Sequence, residues 1–349
     1  HLPDGIFQPP MQMTCIEVHA KQKIEAAYDD RHLIISRTAN LTKPTAEQLE
    51  LGRSACQFRN ECMRGCSFGA YFSSQSATLP AAKRTDNLTI ITDAIAHSVT
   101  YDAKTAKATG VRVIDAKTLE AREYTGKVIF LCASALSSTQ ILMNSTSETF
   151  QNGMANGSGV LGHYLMDHVF FAGARGKLSG LEDKYYSGRR PNGVYIPRFQ
   201  NVHDQHKDFI RGYGYEGWSS RQSWRRGMDQ TGHGADFKDS LKTPGAWQFE
   251  IMGFGEMLPR FENHVRLDQS KKDKWGQPLL HISCQHSDNE KNMQRDMMNS
   301  AAEMLEVAGL TDIEPYLKIR PPGLCIHEMG TARMGHDPKT SILNKFNQS

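Results

Sequence analysis

Alternating apolar and polar positions mark the first β-rich region of the chain. Leu88–Ile91 is an apolar, β-branched run that predicts a strand. Three further runs follow it, at Ile95–Tyr101, Thr109–Asp115 and Ala121–Thr125, and turn-prone polar residues separate them. Short strands with such brief connections are typical of antiparallel neighbours, so the pattern predicts a β-meander.

A continuously apolar run and a helical pattern come after the predicted meander. Lys127–Cys132 has no polar face, which is typical of a strand that is buried on both sides in a parallel sheet. Ser137–Asn144 follows at once and predicts a helix. This passage therefore predicts one strand and one helix of an α/β layer.

The stretch from about Val169 to Ser283 is rich in aromatic residues, glycines and short alternating runs. Residues 193–199 and 247–252 are two of these runs, in which apolar and polar side chains alternate. Such alternation is typical of strands with one buried and one solvated face. We therefore predict an antiparallel sheet with long loops, which forms a second domain.

Two helices are predicted from the signals at their ends. Pro44 closes an extended segment before a polar helix at Ala46–Arg53. Ser287–Glu290 resembles a capping box, and the helix that it opens ends at Gly309. Apolar residues recur along this second helix at helical spacing, which predicts that they face the core. They are Met293, Met297, Met304 and Leu305.

Composition and charge narrow the class of function. The chain has 349 residues, more than one compact core usually holds, so we expect two domains or one domain with a large insertion. It has 41 basic and 38 acidic residues, and their scatter gives no footprint for nucleic acid. No apolar run approaches the roughly 20 residues that cross a bilayer, and residues 1–5 lack the pattern of a signal peptide. Seven cysteines without a regular framework favour reduced thiols and a cytoplasmic protein.

The stretch Ile326–Gly335 carries the clearest chemical signal. His327 stands in a turn punctuated by Gly330, where backbone approaches a flat ligand closely and an imidazole can face it. Removal of hydride from a carbinol carbon also requires a base for the hydroxyl proton. We therefore predict that His327 is the proton acceptor in an alcohol oxidation; the alternative is a structural histidine. A zinc-protease helix is excluded, because H-E-x-x-H needs histidine where Thr331 stands.

The spacing H-x-x-G-T-x-R-M-G-x-D-P, from His327 to Pro338, resembles the active-site segment of the glucose–methanol–choline (GMC) family of flavin oxidoreductases. The resemblance implies that His327 faces the flavin. Arg333 lies in the same segment, and we expect it to hold a loop through hydrogen bonds to carbonyl groups rather than to contact substrate.

Two cofactor-binding passages also resemble the family. Asn87–Ala96 is similar to the strand that touches the adenine of FAD through its backbone, which implies a contact at Ala96. Residues 130–142 resemble the signature A-G-A-x-x-S-P-x-L-L, with Ser134 in place of glycine and Thr139 in place of proline. This second resemblance implies nucleotide contacts at Ala133 and Ser134.

Two further passages extend the resemblance along the chain in the family's order. Residues 62–82 are similar to C-x-x-G-C-x-x-G-A followed by a serine and L-P-x-A. Residues 159–168 are similar to S-G-x-V-G-x-N-L-x-D-H. Within the second passage we expect His163 and His168 to be solvated or core histidines, because these are commoner than ligands.

Some parts of such a flavin fold do not occur. No βαβ unit with a glycine fingerprint opens the chain, and no late N-P-x-x-T-like segment supplies a second active-site Asn or His. Gly157–Gly162 satisfies G-x-G-x-x-G, but a polar loop precedes it rather than a strand, so we reject it as a pyrophosphate site. We expect the chain to be an internal fragment that does not hold FAD tightly on its own.

Cys56, Cys62 and Cys66 lie at short spacings, and three such thiolates suit an iron–sulfur cluster. Some sugar dehydrogenases similar to this family carry one in a comparable region. The spacings miss the common ferredoxin patterns, and ordinary members of the family keep paired cysteines there without metal. A cluster, a disulfide and plain packing all stay open, and no other metal site is predicted.

The predicted fold is mixed α/β. A partial FAD-binding Rossmann-like domain takes residues 1–168 and 311–349. A substrate-binding domain, residues 169–310, is built on an antiparallel β-sheet flanked by helices. The predicted cofactor is FAD, and the predicted partner is a small-molecule substrate.

The predicted function is FAD-dependent oxidation of a CH–OH group, with an unspecified electron acceptor. A sugar or polyol is the expected substrate because exposed aromatic rings stack on sugars, although aromatic residues of a sheet often belong to the core. The aromatic residues in question are Tyr195, Trp218, Trp224 and Trp247. The alternatives are a non-catalytic glycan-binding or interaction module and an iron–sulfur electron-transfer subunit.

Overall fold

The structure is a computed structural model that describes residues 5–59, 62–182, 184 and 193–349. Four of the five residues inspected for a signal peptide therefore lie outside the described residues. The described α-helices are α1 (Cys15–Ala27), α2 (Ala46–Glu50), α3 (Thr78–Lys83), α4 (Ser134–Asn144), α5 (Gly234–Ser240) and α6 (Asp288–Val307). The described strands are β1 (Ile34–Ile35), β2 (Ala94–Asp102), β3 (Lys107–Asp115), β4 (Ala121–Thr125), β5 (Ala172–Leu178), β6 (Val194–Ile196), β7 (Tyr213–Arg221), β8 (Trp247–Gly255), β9 (His264–Lys272), β10 (Pro278–Ser283) and β11 (Thr311–Leu317).

The first of two compact units contains residues 1–89, 170–255 and 291–319. Its centre is a sheet with the strand order β1-β6-β7-β8-β5-β11, in which all paired neighbours are antiparallel. Buried and half-buried residues alternate strictly along β8, as one face of a half-covered sheet requires. The antiparallel sheet predicted for this region is confirmed.

Helix α6 covers the buried face of that sheet. The hydroxyl groups of Tyr213 and Tyr215, on β7, donate to the Asp296 carboxylate at 2.6 Å and to the Met297 carbonyl at 2.7 Å. The predicted core stripe is confirmed, since Met293, Met297, Met304 and Leu305 are all fully buried. This packing removes a wide apolar stripe from water, the main source of helix stability in a folded chain.

Both ends of α6 follow the sequence signals. The backbone N–H and the hydroxyl of Ser287 donate to the Glu290 carboxylate at 2.6 and 2.5 Å. Gly309 follows the helix with φ of +75°, the left-handed conformation that glycine adopts without steric cost. The predicted start and stop are confirmed. The polar helix predicted at Ala46–Arg53 also forms, but it ends earlier, at Glu50.

The second unit contains residues 90–169, 256–290 and 320–349. The three predicted strands form a meander with the order β2-β3-β4, which is confirmed, and β9 and β10 form a hairpin. Helix α4 packs against β2, and Val99 donates its backbone N–H to the Ser145 hydroxyl at the end of α4. The core of this unit includes Val99, Ile141, Leu142, Val160, Leu161 and Ile342.

Two predicted strands are wrong. Neither Leu88–Ile91 nor Lys127–Cys132 is a strand, and Val128 and Phe130 are 68% and 83% exposed. An apolar, β-branched run becomes a strand only where another strand pairs with its backbone. No described strand pairs with either run. The sequence pattern shows that a run is apolar, but it does not show whether another strand lies beside it.

The predicted mixed α/β class is confirmed. Residues 1–89 belong to the same unit as the large sheet, and the β9–β10 hairpin belongs to the same unit as the meander. The bounds of the two units therefore differ from those of the predicted domains. The FAD-binding and substrate-binding domain bounds stay a prediction. Among the described residues, no helix has the length and apolar character that a membrane span requires.

Candidate active site

The histidine turn, residues 323–331, lies antiparallel to the segment 162–168 in the second unit. Met166 and Met329 exchange two backbone hydrogen bonds, at 2.9 and 3.0 Å. The Thr331 N–H donates to the His163 carbonyl at 3.0 Å. Two segments that are far apart in the sequence thus share a short two-stranded ladder, which fixes the direction of the histidine turn.

The Asp167 carboxylate clamps the histidine turn through its backbone. One carboxylate oxygen accepts the N–H groups of His168 and His327 at 2.8 and 3.1 Å. The other accepts the N–H groups of Gly323 and Cys325 at 2.8 and 3.0 Å. Asp167 is only 2% exposed. Hydrogen bonds from N–H groups to a carboxylate are stronger than those between neutral groups, so this buried clamp holds the backbone at His327 firmly.

The histidine turn contains backbone conformations that other contacts must hold. Ile326 has φ of +59°, an unfavourable conformation for a β-branched residue. It stands between two residues whose N–H groups the Asp167 clamp holds. Gly330 has φ of +90°, and a Cβ atom there would lie 1.9 Å from the Tyr164 carbonyl oxygen. The turn is therefore tightly specified, as is common at functional sites.

The His327 side chain is exposed, while its backbone is clamped. Its Nδ1 atom lies 3.7 Å from the Sγ atom of Cys325, which is 5% exposed. The His168 ring lies edge to face against it, with ring centroids 5.1 Å apart and an interplanar angle of 87°. The imidazole thus faces outward from a rigid base, where a ligand can reach it.

A hydroxyl pair joins the histidine turn to helix α4. Thr139 donates its hydroxyl to the Thr331 hydroxyl at 2.8 Å, and both residues are buried. The Thr331 hydroxyl in turn reaches the Ala135 carbonyl at 3.4 Å, in the first turn of α4. The end of the histidine turn therefore lies beside the start of α4, where Ala133 and Ser134 stand.

The start of α4 is open to solvent. Ala133 and Ser134 are exposed, and the N-cap residue Ala133 makes no side-chain cap bond to the first turn. The N–H of Ala133 itself donates to the Ser138 hydroxyl at 3.2 Å. Such N–H groups suit the negative charge of a pyrophosphate. Ser134 has φ of +66°, a conformation that glycine adopts without steric cost. This explains why the family signature has glycine at this position. The nucleotide contacts at Ala133 and Ser134 stay predictions.

Ala96 lies on β2, at the edge of the meander. It pairs with Val113 of β3, and the register shifts between Ala96 and Ser98. Since the described sheet has no strand beyond β2, its other edge keeps backbone groups that are available to a ligand. The adenine contact at Ala96 also stays a prediction.

Neighbouring side chains have structural roles. Arg333 lies over the Tyr164 ring at 3.6 Å and donates to the Thr340 carbonyl at 3.3 Å, as its predicted loop-holding role requires. His163 stacks on Phe261 with centroids 3.8 Å apart, and its Nδ1 contacts the Phe261 carbonyl. His168 is different, because it lies against His327 rather than simply packing in a core.

The three clustered cysteines line one small pocket in the first unit, with Asn40 and Arg59. Phe58 donates its N–H to the Cys56 sulfur at 3.4 Å, and Asn40 donates its side-chain amide to the Cys62 sulfur at 3.8 Å. All seven cysteines are free, so the disulfide alternative is not formed here. In the described chain, no three His, Cys, Asp or Glu side chains are arranged as ligands of a single ion.

Two thiols of the cysteine pocket have pKa values that shift in opposite directions. Burial raises the pKa of Cys56 above its usual value, and the charges of Cys62 and Cys66 add to this rise. Burial acts in the same direction on Cys66, but backbone N–H groups around its sulfur outweigh it and lower the pKa. They belong to Tyr71, Phe68, Ala70 and Gly69. The thiolate is therefore favoured at Cys66.

The aromatic residues proposed for sugar binding divide into two groups. Trp247 is fully buried and belongs to the core, so it is not available for stacking. Trp218 and Trp224 are 42% and 63% exposed. Tyr195 is half-buried, and burial raises the pKa of its hydroxyl. Exposed tryptophans alone do not define a sugar site.

Comparison with protein families adds an independent observation. The model of the GMC oxidoreductase N-terminal domain matches residues 7–170, and that of the C-terminal domain matches residues 259–349. The chain belongs to the GMC oxidoreductase family. The C-terminal match contains the histidine turn, and the N-terminal match contains Ala96, Ala133, Ser134 and Asp167.

Curated relatives in this family are dehydrogenases by name. The chain is 30% identical over 252 residues to 2-methyl-1,2-propanediol dehydrogenase of Mycolicibacterium austroafricanum, covering 70% of this chain and 45% of that protein. It is 23% identical over 298 residues to the fructose dehydrogenase large subunit of Gluconobacter japonicus, covering 84% and 53%. It is 32% identical over 98 residues to the gluconate 2-dehydrogenase flavoprotein of Pantoea cypripedii, covering 25% and 15%. The chain spans about half the length of the first two relatives.

Sequence reasoning missed the residues that hold His327. Asp167 lies 160 positions from His327, and no local pattern joins them. The sequence does contain a hint of Asp167, since the pair Asp167–His168 ends the family-like passage 159–168. The resemblance assigned no role to this aspartate. In the sequence Thr139 is only a departure from the proline of the family signature, but in the structure its hydroxyl bonds to Thr331.

Proposed function

We propose that the chain is part of an FAD-dependent dehydrogenase that oxidises a CH–OH group, with His327 as the proton acceptor. The observation that supports this most is the exposed imidazole on a clamped backbone, within a segment matched by the family model. The relatives named for a diol and for fructose favour a polyol or sugar as substrate.

Two places in the second unit suit a flavin nucleotide. The first turn of α4 offers uncapped N–H groups to a pyrophosphate, and the unpaired edge of β2 offers backbone groups to an adenine. The hydroxyl pair Thr139–Thr331 ties the start of α4 to the histidine turn. Bound FAD would supply the acceptor for the hydride of the alcohol.

The protein's part in the reaction is to position the substrate and to take a proton. As the carbinol carbon loses hydride, its C–O bond becomes a carbonyl and the hydroxyl proton must leave. His327 accepts that proton on a ring nitrogen. The Asp167 clamp stabilises the backbone from which the imidazole projects, so the ring needs little reorganisation when substrate binds.

The proposal is tested on the product of the full reading frame that encodes this chain. The purified protein is loaded with FAD and mixed anaerobically with a panel of diols, polyols and sugars. We expect the flavin absorbance to bleach with at least one of them. Sugar binding without FAD binding or bleaching would instead support the non-catalytic glycan-binding module.

A second candidate function rests on the cysteine pocket. An iron–sulfur cluster places each thiolate on its own iron, so its ligands spread more widely than those of a single ion. Cys56, Cys62 and Cys66 line one pocket and each sulfur receives at least one N–H group. Such hydrogen bonds stabilise thiolate charge and tune cluster potentials. We propose electron transfer through a cluster here as an addition to the alcohol oxidation.

This second candidate has its own readout. Protein prepared anaerobically is analysed for iron and acid-labile sulfide and by electron paramagnetic resonance. We expect both elements in wild type and their loss in the Cys62→Ser variant. Cys132→Ser is the matched control, since Cys132 is exposed and outside the pocket. Absence of iron and sulfide from the wild type would contradict the proposal of an iron–sulfur cluster.

A further inference from the structure

A polar cavity opens on the solvent side of the large sheet, within the first unit. Its volume is about 450 Å³, in the range of small-molecule sites. Arg175 and Lys177 of β5 project into it beside Gln248 of β8, which pairs with Lys177. The residues after β7 close one side with Arg225 and Arg226. No residue of the candidate active site lines this cavity.

The charges of the lining residues do not cancel. Four basic side chains face two carboxylates, those of Asp229 and Glu314. Glu314 is already engaged, because one of its carboxylate oxygens accepts from Arg175 at 2.5 and 2.8 Å. Lys177 bonds to Asp312 at 3.0 Å. The strand residues are therefore paired, and the excess positive charge lies on the Arg225–Arg226 side.

Arg226 is a fixed cation without a carboxylate partner among the described residues. Its guanidinium donates to the carbonyl groups of Ser223, Ser240 and Thr243 at 3.1, 2.6 and 2.9 Å. Carbonyl partners orient the guanidinium but leave its charge uncompensated. The bonds to Ser240 and Thr243 also tie the segment that carries Arg225 to residues 240–243, which precede β8.

Arg225 is exposed and its guanidinium forms no ion pair with the part of the chain that the structure describes. A guanidinium presents a planar fork that matches a carboxylate or a phosphate. Around it, the lining includes the side chains Gln222, Ser223, Gln230 and Gln248, which donate to and accept from hydroxyl groups. The cavity thus offers both a positive charge, on Arg225, and neutral side chains that hydrogen-bond to hydroxyl groups.

We propose that this cavity binds a small anionic ligand that carries several hydroxyl groups, with Arg225 on the anionic group. The ring or chain hydroxyls would meet the glutamine and serine side chains. The excess charge attracts the anion, and the neutral polar groups select against simple inorganic ions. The proposal concerns binding to the sheet unit and does not depend on the alcohol oxidation proposed above.

The test compares ligands that differ only at one carbon. D-Glucose, D-glucuronate and D-glucose 6-phosphate share a sugar ring but carry a hydroxymethyl, a carboxylate and a phosphate group at the end. Binding to the chain is measured by isothermal titration calorimetry at low salt, with inorganic phosphate as a further probe. We expect glucuronate or glucose 6-phosphate to bind about tenfold or more tightly than glucose. The stronger of the two identifies the anionic group.

Arg225→Gln removes the free cation and keeps hydrogen-bonding capacity. We expect it to weaken binding of the anionic sugar about tenfold, because the charge-assisted bond to the anionic group is lost, and to leave glucose unaffected. Arg266→Gln is the matched control, because Arg266 is an exposed arginine on β9, outside the cavity. Equal binding of all three sugars, binding of inorganic phosphate alone, or no effect of Arg225→Gln would each overturn the proposal. Circular dichroism checks that the variants fold.

Discussion

Replacement of Asp167 tests the clamp that holds His327 in place. In wild type the carboxylate accepts four backbone N–H groups, two on each oxygen. Asp167→Asn keeps one acceptor oxygen and turns an amide NH₂ toward two N–H donors. The variant therefore loses two charge-assisted hydrogen bonds and weakens the others. Asp167→Ala loses all four.

The magnitude follows from the number of bonds and their burial. Hydrogen bonds to a charged group contribute about 1.5–3 kcal/mol each, although their losses are not additive, so we expect a local cost of about 3 kcal/mol for Asp167→Asn. The strained backbone at Ile326 adds to this, since its positive φ persists only while its neighbours are held. A cost of that size speeds local opening on the order of 100-fold.

Amide hydrogen exchange gives the readout residue by residue. We expect faster exchange at Gly323, Cys325 and His327 in both variants, and unchanged exchange in β7 and β8. Asp337→Asn is the control, because Asp337 accepts the Lys339 N–H in an exposed turn of the same terminal region. Wild-type exchange rates at all clamped amides in Asp167→Ala would show that the clamp does not hold the turn.

Three further predictions concern other parts of the chain. Thr139→Val removes the hydroxyl that bonds to Thr331, and we expect a loss of stability of about 1 kcal/mol in urea unfolding, with no loss for the control Thr125→Val at an exposed position of β4; equal losses would contradict the buried pair. In metal-free protein, iodoacetamide should modify Cys66 at lower pH than Cys56, because the Cys66 pKa is lowered and the Cys56 pKa raised; mass spectrometry checks this, and the reverse order would refute it. Burial would raise the pKa of Glu290, but hydrogen bonds from Ser287, Leu258 and Asn289 lower it overall, so its stabilising effect is present above the ordinary value of 4.5 and is lost as pH falls through the folded value. Glu290→Gln should therefore lower Tm at neutral pH and converge with wild type in acid, and a difference that grows in acid would contradict this sign.

Local signals predicted the elements whose stability is local. The meander needs only short turns between neighbouring strands, and α6 carries its cap, its apolar stripe and its stop within its own residues. The run Lys127–Cys132 failed because a strand also needs a partner, which a window of sequence does not contain. Resemblance singled out His327, Ala133 and Ser134, because those passages keep characteristic spacings, and the roles of these residues stay predictions. The helix predicted at Ser137–Asn144 starts three residues earlier, at Ser134.

The supports of the candidate site were not predictable in the same way. Asp167 and the histidine turn meet across 160 residues, and the Thr139–Thr331 pair spans 192. Physical rules of helix and strand formation say nothing about such distant partners. Once the structure is known, the need of buried N–H groups for acceptors explains why a buried carboxylate lies there, because four such groups cluster around it.

The most direct test of the central claim is the rate of flavin reduction by an alcohol in the full-length protein. Stopped-flow absorbance under anaerobic conditions compares wild type with His327→Asn, and with His336→Asn as an exposed histidine in the same segment. We expect His327→Asn to slow reduction about tenfold or more while FAD binding is kept, and His336→Asn to leave the rate unchanged. Equal reduction rates in wild type and His327→Asn would contradict the role of this imidazole as the proton acceptor.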